Sequence, residues 1–259
     1  MEGAPAMNTS LKSRMHGGET LFGFWHMTAS PTVAEVLSQA GYDCCIVDME
    51  HGPGSYLDAQ QAMQAMSATA CQPLLRVPFN SPVEVKRALD VGAVGVMCPA
   101  VNSVEEAEMA ARACRYPPAG LRGVAPTVVR AANYGRGWRA YMEQSDRDVL
   151  CMAQIETRAG LAAVDAIAAV EGVDMLFIGP MDLSADLGFP GEPDHPEVEA
   201  AVRRVAAAAA AAGKLAGSIA TPGRDSAALS AAGYRFIMAD ADVSLLRDGA
   251  AASLERLRG

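Results

Sequence analysis

Two carboxylates in the middle of this chain each follow a short apolar run, Glu156 just after Val149-Leu150-Cys151-Met152-Ala153 and Asp182 just after Met175-Leu176-Phe177-Ile178. Hard oxygen donors converging on one point suit a divalent cation such as Mg²⁺ or Mn²⁺, which keeps other coordination positions open for water and substrate. A plainer reading stands beside it: Glu156 forms a rim ion pair, and Asp182 caps the short turn Asp182-Leu183-Ser184. The elements that carry the two residues decide how they meet.

Both apolar runs read as strands buried on two faces. Between them Leu161, Val164, Ile167, Ala168 and Val170 recur at helical spacing, and Gly172 follows as a stop. The result is a βαβ unit. Strands of a parallel sheet point their carboxyl ends one way, and ligands bind at that end. Glu156 and Asp182 are therefore expected on one rim, one strand apart.

The same cadence runs through the chain. Strands are expected at 21–25, 44–47, 73–77, 93–97, 149–153, 175–178, 214–219 and 234–238, with helices between them, an extra short helix at 10–15 before the first strand, and a last helix at 243–257. Eight strands alternating with at least eight helices, without a linker, predict a (β/α)₈ TIM barrel, with a doubly wound open sheet as the alternative. Residues 1–259 then form a single barrel domain whose residues 1–8 are a loose terminus. The rhythm breaks only at 116–148, which is rich in Pro, Gly and Arg and has no strand-like run; connections of that length are usually functional or make an interface.

Composition narrows the function. A net charge of −9 and the lack of a basic stripe argue against nucleic acid as a partner. No apolar run is long enough for a membrane span. The six cysteines include Cys44, Cys45, Cys98 and Cys151 inside expected strands, with no CxxC pair and no signal-peptide-like start, so reduced thiols and a cytoplasmic location are expected. The only lysines are Lys12, Lys86 and Lys214, none at an expected catalytic rim, which disfavours imine chemistry. GxSxG, Walker, strand-borne GxGxxG and HExxH motifs are absent.

On a barrel, the strand ends would gather Trp25, Asp48, Glu50, His51, Arg76, Gln154, Glu156 and Asp182. His51, the one histidine of four at an expected strand end, suits a general acid or base, or is a hydrogen-bonding loop residue. Arg76 offers a planar fork for a carboxylate or enolate oxygen, or pairs with Glu50 or Asp48.

The runs IVDMEHGP (46–53), LLRVP (74–78), VKRALDVGAVGVMCP (85–99), RYPPAGLRGV (115–124), QIET (154–157) and GVDMLFIGPMDLSADLG (172–188) resemble the HpcH/HpaI aldolase family, in its order and spacing. The resemblance implies a barrel of the phosphoenolpyruvate/pyruvate superfamily, a homo-oligomer (hexamer or trimer) whose final helix packs on a neighbouring subunit, and a carbon–carbon lyase needing Mg²⁺, Mn²⁺ or Co²⁺. The implied reaction is reversible cleavage of a 4-hydroxy-2-oxo acid to pyruvate and an aldehyde. Residue by residue, it implies Glu156 and Asp182 as metal ligands, His51 as base, Arg76 as stabiliser of the transition state, and Gln154, Met181 and Asp182 as substrate contacts. It also makes Asp90 the acid supporting His51; Asp90 ends a helix running away from the rim, so either a neighbouring subunit supplies it or Asp48 takes the role.

The mechanism expected is chelation of the 2-oxo acid by the metal, stabilisation of the pyruvate enolate by metal and Arg76, and removal of the C4-hydroxyl proton by His51, with Trp25 and the 116–148 loop enclosing the aldehyde half. Two alternatives remain: a citrate-lyase-like CoA-ester lyase, which needs a basic patch for CoA phosphates beyond the arginines at 112–139, and a non-catalytic 2-oxo-acid-binding protein, which needs no general base.

Overall fold

The computed structural model describes residues 10–259; the loose terminus expected at 1–8 lies outside the described residues. Its eight parallel strands close into a barrel in sequence order, β8 pairing back to β1. They are β1 (Leu21–His26), β2 (Cys44–Asp48), β3 (Gln72–Arg76), β4 (Gly95–Cys98), β5 (Leu150–Ile155), β6 (Met175–Ile178), β7 (Leu215–Ile219) and β8 (Phe236–Ala241). The helices are α1 (Leu11–His16), α2 (Pro31–Ser38), α3 (Tyr56–Ala65), α4 (Pro82–Asp90), α5 (Val104–Cys114), α6 (Trp138–Asp148), α7 (Arg158–Ala162), α8 (Val164–Ala168), α9 (Pro180–Asp186), α10 (Pro196–Ala211), α11 (Ser226–Ala231) and α12 (Asp242–Arg258). The open-sheet alternative is excluded.

Successive strand residues point to opposite faces, so each strand feeds two cores. Leu21, Trp25, Ile46, Leu74, Met97, Leu150, Met152, Met175, Phe177, Phe236 and Met238 fill the barrel interior, and Leu11 and Met15 of α1 join them from the amino-terminal end. The alternate residues, among them Phe24, Val47, Leu75, Val96, Ile155, Leu176 and Ile178, face the helices and meet their small side chains, such as Ala59, Ala62, Ala88, Ala107, Ala110 and Ala209. Alanines let helices approach a Val/Ile/Leu sheet closely, and each large side chain so buried contributes about 1.5–3 kcal/mol.

Most helices begin at the carboxyl end of the strands with a capping side chain. Ser30, Ser55, Ser81, Ser103, Thr157 and Asp225 each accept an N–H of the first turn, and Ser55 with Asp58 makes a full capping box. Such caps are worth about 1 kcal/mol each and fix the loops that carry the site.

Three expectations change. The helix expected over 161–170 is broken at Ala163 into α7 and α8. Asp182 lies in the helix α9 rather than an isolated turn. The segment 116–148 contains a 3₁₀ stretch (Arg130–Gly135) and α6, and runs beneath the amino-terminal end of the barrel: Arg130 donates to the carbonyls of Val91 and Met63, at the far ends of α4 and α3. It does not enclose the mouth of its own barrel. From Leu246 onward every residue of α12 is exposed. No helix among the described residues is long and apolar enough to cross a membrane.

Candidate active site

Period-two alternation determines which strand-end residues look inward. With Leu21, Ile46, Leu74, Met152 and Phe177 inside, the last inward positions are Trp25, Asp48, Arg76, Gln154 and Gly179, which form one layer at the carboxyl end.

Arg76 is the centre of that layer. Its Nε and Nη2 donate to the two oxygens of Asp48 at 2.9 and 2.6 Å, and its Nη1 lies 2.8 Å from Glu50 Oε2. The guanidinium lies 4.6 Å from the centroid of the Trp25 ring, which stands edge-on to Phe177. Trp25, expected to contact substrate, is thus buried as the floor under Arg76. Asp48 also accepts the backbone N–H groups of Glu50 (3.0 Å) and His51 (3.4 Å), which shapes the loop after β2. Its carboxylate accepts from Arg76 and these amides, and no contact to the His51 imidazole is formed in this arrangement. That ring, more than half exposed, has Nε2 3.9 Å from Glu50 Oε2 instead.

Across the mouth, Glu156 follows β5 directly and is only 6% exposed. Its Oε1 accepts the N–H of Ala100 at 2.7 Å, and its Oε2 accepts from Gln154 Nε2. Gly179 makes room: a Cβ there would lie 2.8 Å from Glu156 Oε2 and 3.0 Å from Gln154 Nε2. Asp182 sits in the first turn of α9, exposed, with Met181 beside it 52% exposed at the mouth. Burial, then the negative charges of Glu50 and Asp182, push the Glu156 carboxyl up to about 7 against the opposing pull of the Ala100 amide and Arg76. Burial likewise raises Glu50.

These residues fit a divalent cation. Glu50, Glu156 and Asp182 share with Asp48 a single guanidinium, so the mouth carries surplus negative charge, and Gln154 Oε1 is a buried acceptor without a donor. No group of three or more His, Cys, Asp or Glu converges among the described residues; a cation held here would take Glu156 and Asp182 with water and substrate in its other positions.

Asp90 is at the other end of the molecule. It accepts from the buried Arg122 at 3.0 Å, and Arg122 also donates to Tyr141 Oη and stacks on Tyr116. Within one barrel it does not meet His51. The lysines stay away from the mouth as expected: Lys214 donates to the carbonyls of Val170 and Val173, and Lys12 pairs with Asp174.

Two features escaped sequence reading. His26 also ends a strand, and its Nδ1 lies 2.9 Å from Asp242 Oδ2 with both side chains buried. Asp242 accepts in addition from Met27 N, Thr28 N and Thr28 Oγ1, which ties the loop after β1 to the start of α12. Burial acts to raise the Asp242 carboxyl, but these donors outweigh it and hold it well below the usual carboxylate range. Extending the alternation of β1 by one residue would have found His26 on the outer face. The Ala100 amide has no side-chain signature at all.

Known proteins share the sequence and the fold. The chain is 38% identical over 242 residues to a hydroxypyruvate/pyruvate aldolase of Chromohalobacter salexigens, covering 93% of this chain and 95% of that protein. It is 40% identical over 237 residues to a 2-dehydro-3,6-dideoxy-6-sulfogluconate aldolase of Pseudomonas putida, covering 92% of each. A crystal structure of an HpcH/HpaI aldolase/citrate lyase family protein from Burkholderia cenocepacia J2315 superposes with a TM-score of 0.90 at 41% identity, covering 96% of this chain and 99% of that one. The family model for HpcH/HpaI aldolase/citrate lyase matches residues 21–249, and the chain belongs to that family.

Proposed function

We propose that this chain is a divalent-metal-dependent pyruvate aldolase, cleaving a 4-hydroxy-2-oxo acid to pyruvate and an aldehyde. The observation that carries the reading is the buried Arg76 fork, held by Asp48 and Glu50, on the same mouth as the Glu156 and Asp182 carboxylates, away from Lys12 and Lys214. Glu156 and Asp182 would hold the cation, whose chemistry when bound is to polarise the 2-oxo group as a Lewis acid.

The chain's own groups account for the rest. Asp48 takes two of the five guanidinium N–H groups and Glu50 pairs with Nη1, which leaves N–H groups for the keto oxygen as negative charge develops there. Asp48 and Trp25 hold that fork rigid, so no reorganisation is needed when C3–C4 breaks. His51, exposed at the rim, takes the proton of the C4 hydroxyl, and the electron pair of the C3–C4 bond moves toward the oxygen facing Arg76. Gln154 Oε1, a buried acceptor, would take a hydroxyl or water proton beside the bound acid, and the exposed Met181 side chain offers an apolar contact.

Asp90 supports His51 only if a second copy supplies it, and the exposed Val243, Leu246, Leu254 and Leu257 of α12 fit packing on such a neighbour; a homo-oligomer of single-domain barrels, hexamer or trimer, is proposed on these grounds. The six cysteines are buried and free, which suits a cytoplasmic protein. The arginines at 112–139 lie toward the far end, where Arg122 and Arg130 are engaged internally, so they do not form a CoA-phosphate patch at the mouth.

The test is to strip the protein with EDTA, restore Mg²⁺, Mn²⁺ or Co²⁺, and follow pyruvate release from a panel of 4-hydroxy-2-oxo acids. Metal-restored release is expected; release that persists without metal would overturn the two-carboxylate reading. Turnover itself separates an aldolase from a 2-oxo-acid-binding protein.

A further inference from the structure

The loop between β4 and α5 makes a turn that its sequence disfavours. Ala100 has φ 49°, in the left-handed region, where a residue with a Cβ loses roughly 1 kcal/mol or more. The turn directs two consecutive amides onto the end of β5: Ala100 N–H reaches Glu156 Oε1 at 2.7 Å, and Val101 N–H reaches the Gln154 carbonyl at 3.1 Å.

Asn102 holds the turn in place. Its Nδ2 donates to Ala100 O at 2.7 Å, its Oδ1 accepts the Thr157 hydroxyl, and its own N–H donates to Glu106 Oε2 at 2.6 Å. Thr157 is the residue after Glu156, and its hydroxyl oxygen also accepts Gly160 N–H as the cap of α7. One amide side chain therefore links the strained peptide that grips Glu156 to the segment that carries Glu156.

We propose that Asn102 is a positioning residue for Glu156: it fixes the left-handed turn at Ala100, which locks the carboxylate in the rotamer that faces the cation site. The proposal rests on Glu156 being a metal ligand. Partners of this outer kind typically govern metal affinity about 10–100-fold, whereas an exposed loop contact with a purely structural role leaves affinity unchanged.

The experiment measures Mn²⁺ binding to the full-length, substrate-free protein by electron paramagnetic resonance of the free ion. Asn102→Ala is expected to raise the Mn²⁺ dissociation constant about 10-fold, with Tm little changed and kcat recovered at saturating Mn²⁺. Adding Ala100→Gly to that variant should regain part of the affinity, because glycine adopts the left-handed conformation without strain. Unchanged affinity in Asn102→Ala overturns the proposal. So does a loss that follows a collapse in Tm and is not regained with glycine. Wild-type protein that binds no Mn²⁺ would overturn the metal site itself before any variant is compared.

Discussion

Arg76 grips both oxygens of Asp48 with two parallel donors, 2.9 and 2.6 Å long, at the carboxyl end of two neighbouring strands. The two residues are register partners in the β2–β3 ladder, so the backbone sets the fork geometry before either side chain moves. A lysine at position 76 has no such fork. Arg76→Lys should lower kcat for pyruvate release by roughly 10²-fold with the barrel intact. Asp48→Asn should instead destabilise the fold by about 1–3 kcal/mol, since the guanidinium keeps Glu50 but loses a buried charge-assisted partner. Steady-state kinetics and thermal unfolding of both variants separate the two effects; an Arg76→Lys enzyme of full activity would sink the catalytic role.

Glu156 gives a pH dependence of known sign. Its folded value is about 7 against 4.5 ordinarily, so in metal-free protein its contribution to stability is full below the ordinary value and is lost as pH rises through about 7. Glu156→Gln, neutral at every pH, should therefore unfold several degrees above wild type at pH 8 and lose that advantage at pH 5. Mn²⁺ affinity of the wild type should fall about tenfold per unit as pH drops below about 7, because the ligand must be deprotonated. A thermal difference that does not vary with pH would refute the buried carboxyl as its source.

His51 and Asp90 lie at opposite ends of one barrel. His51→Ala should reduce kcat by about 10²–10⁴-fold while Mn²⁺ binding is retained. If the acid comes from a second copy, co-expressing His51→Ala with Asp90→Ala should regenerate intact sites in mixed oligomers and recover activity that neither variant has. Mixed oligomers as inactive as their parents would rule out supply of Asp90 by another subunit.

The exposed apolar residues of α12 test the assembly without touching the site. Placing glutamate at Leu246 and Leu254, 53% and 46% exposed, puts charge where a neighbour would bury apolar surface. Light scattering should show a lower molar mass than wild type, with the barrel still folded; an unchanged mass would place the interface elsewhere.

The fold was legible because the barrel obeys two periods. Mostly apolar runs marked the eight strands, and Ser, Pro and Gly marked the helix ends; boundaries drifted where burial does not change, as at β1, which runs on to the buried His26. Asp48, Arg76, Gln154 and Glu156 could be grouped from the sequence because the carboxyl ends of parallel strands all lie on one rim. Interactions that depend on loops or on backbone were not legible. Nothing in Ala100 announces a left-handed turn, and nothing in Asp48 distinguishes a partner of Arg76 from a partner of His51. The 116–148 segment was recognised as unusual, but composition does not say which end of a barrel a loop covers.

The floor beneath Arg76 has an optical consequence. The protein has two tryptophans, and the other, Trp138, is on α6 beside Arg139. Trp25, with a guanidinium 4.6 Å from its ring, reports on whatever displaces that charge. In a Trp138→Phe background, the indole emission of Trp25 becomes a label-free signal for occupancy of the mouth by a 2-oxo acid, readable on a millisecond scale without a coupled assay.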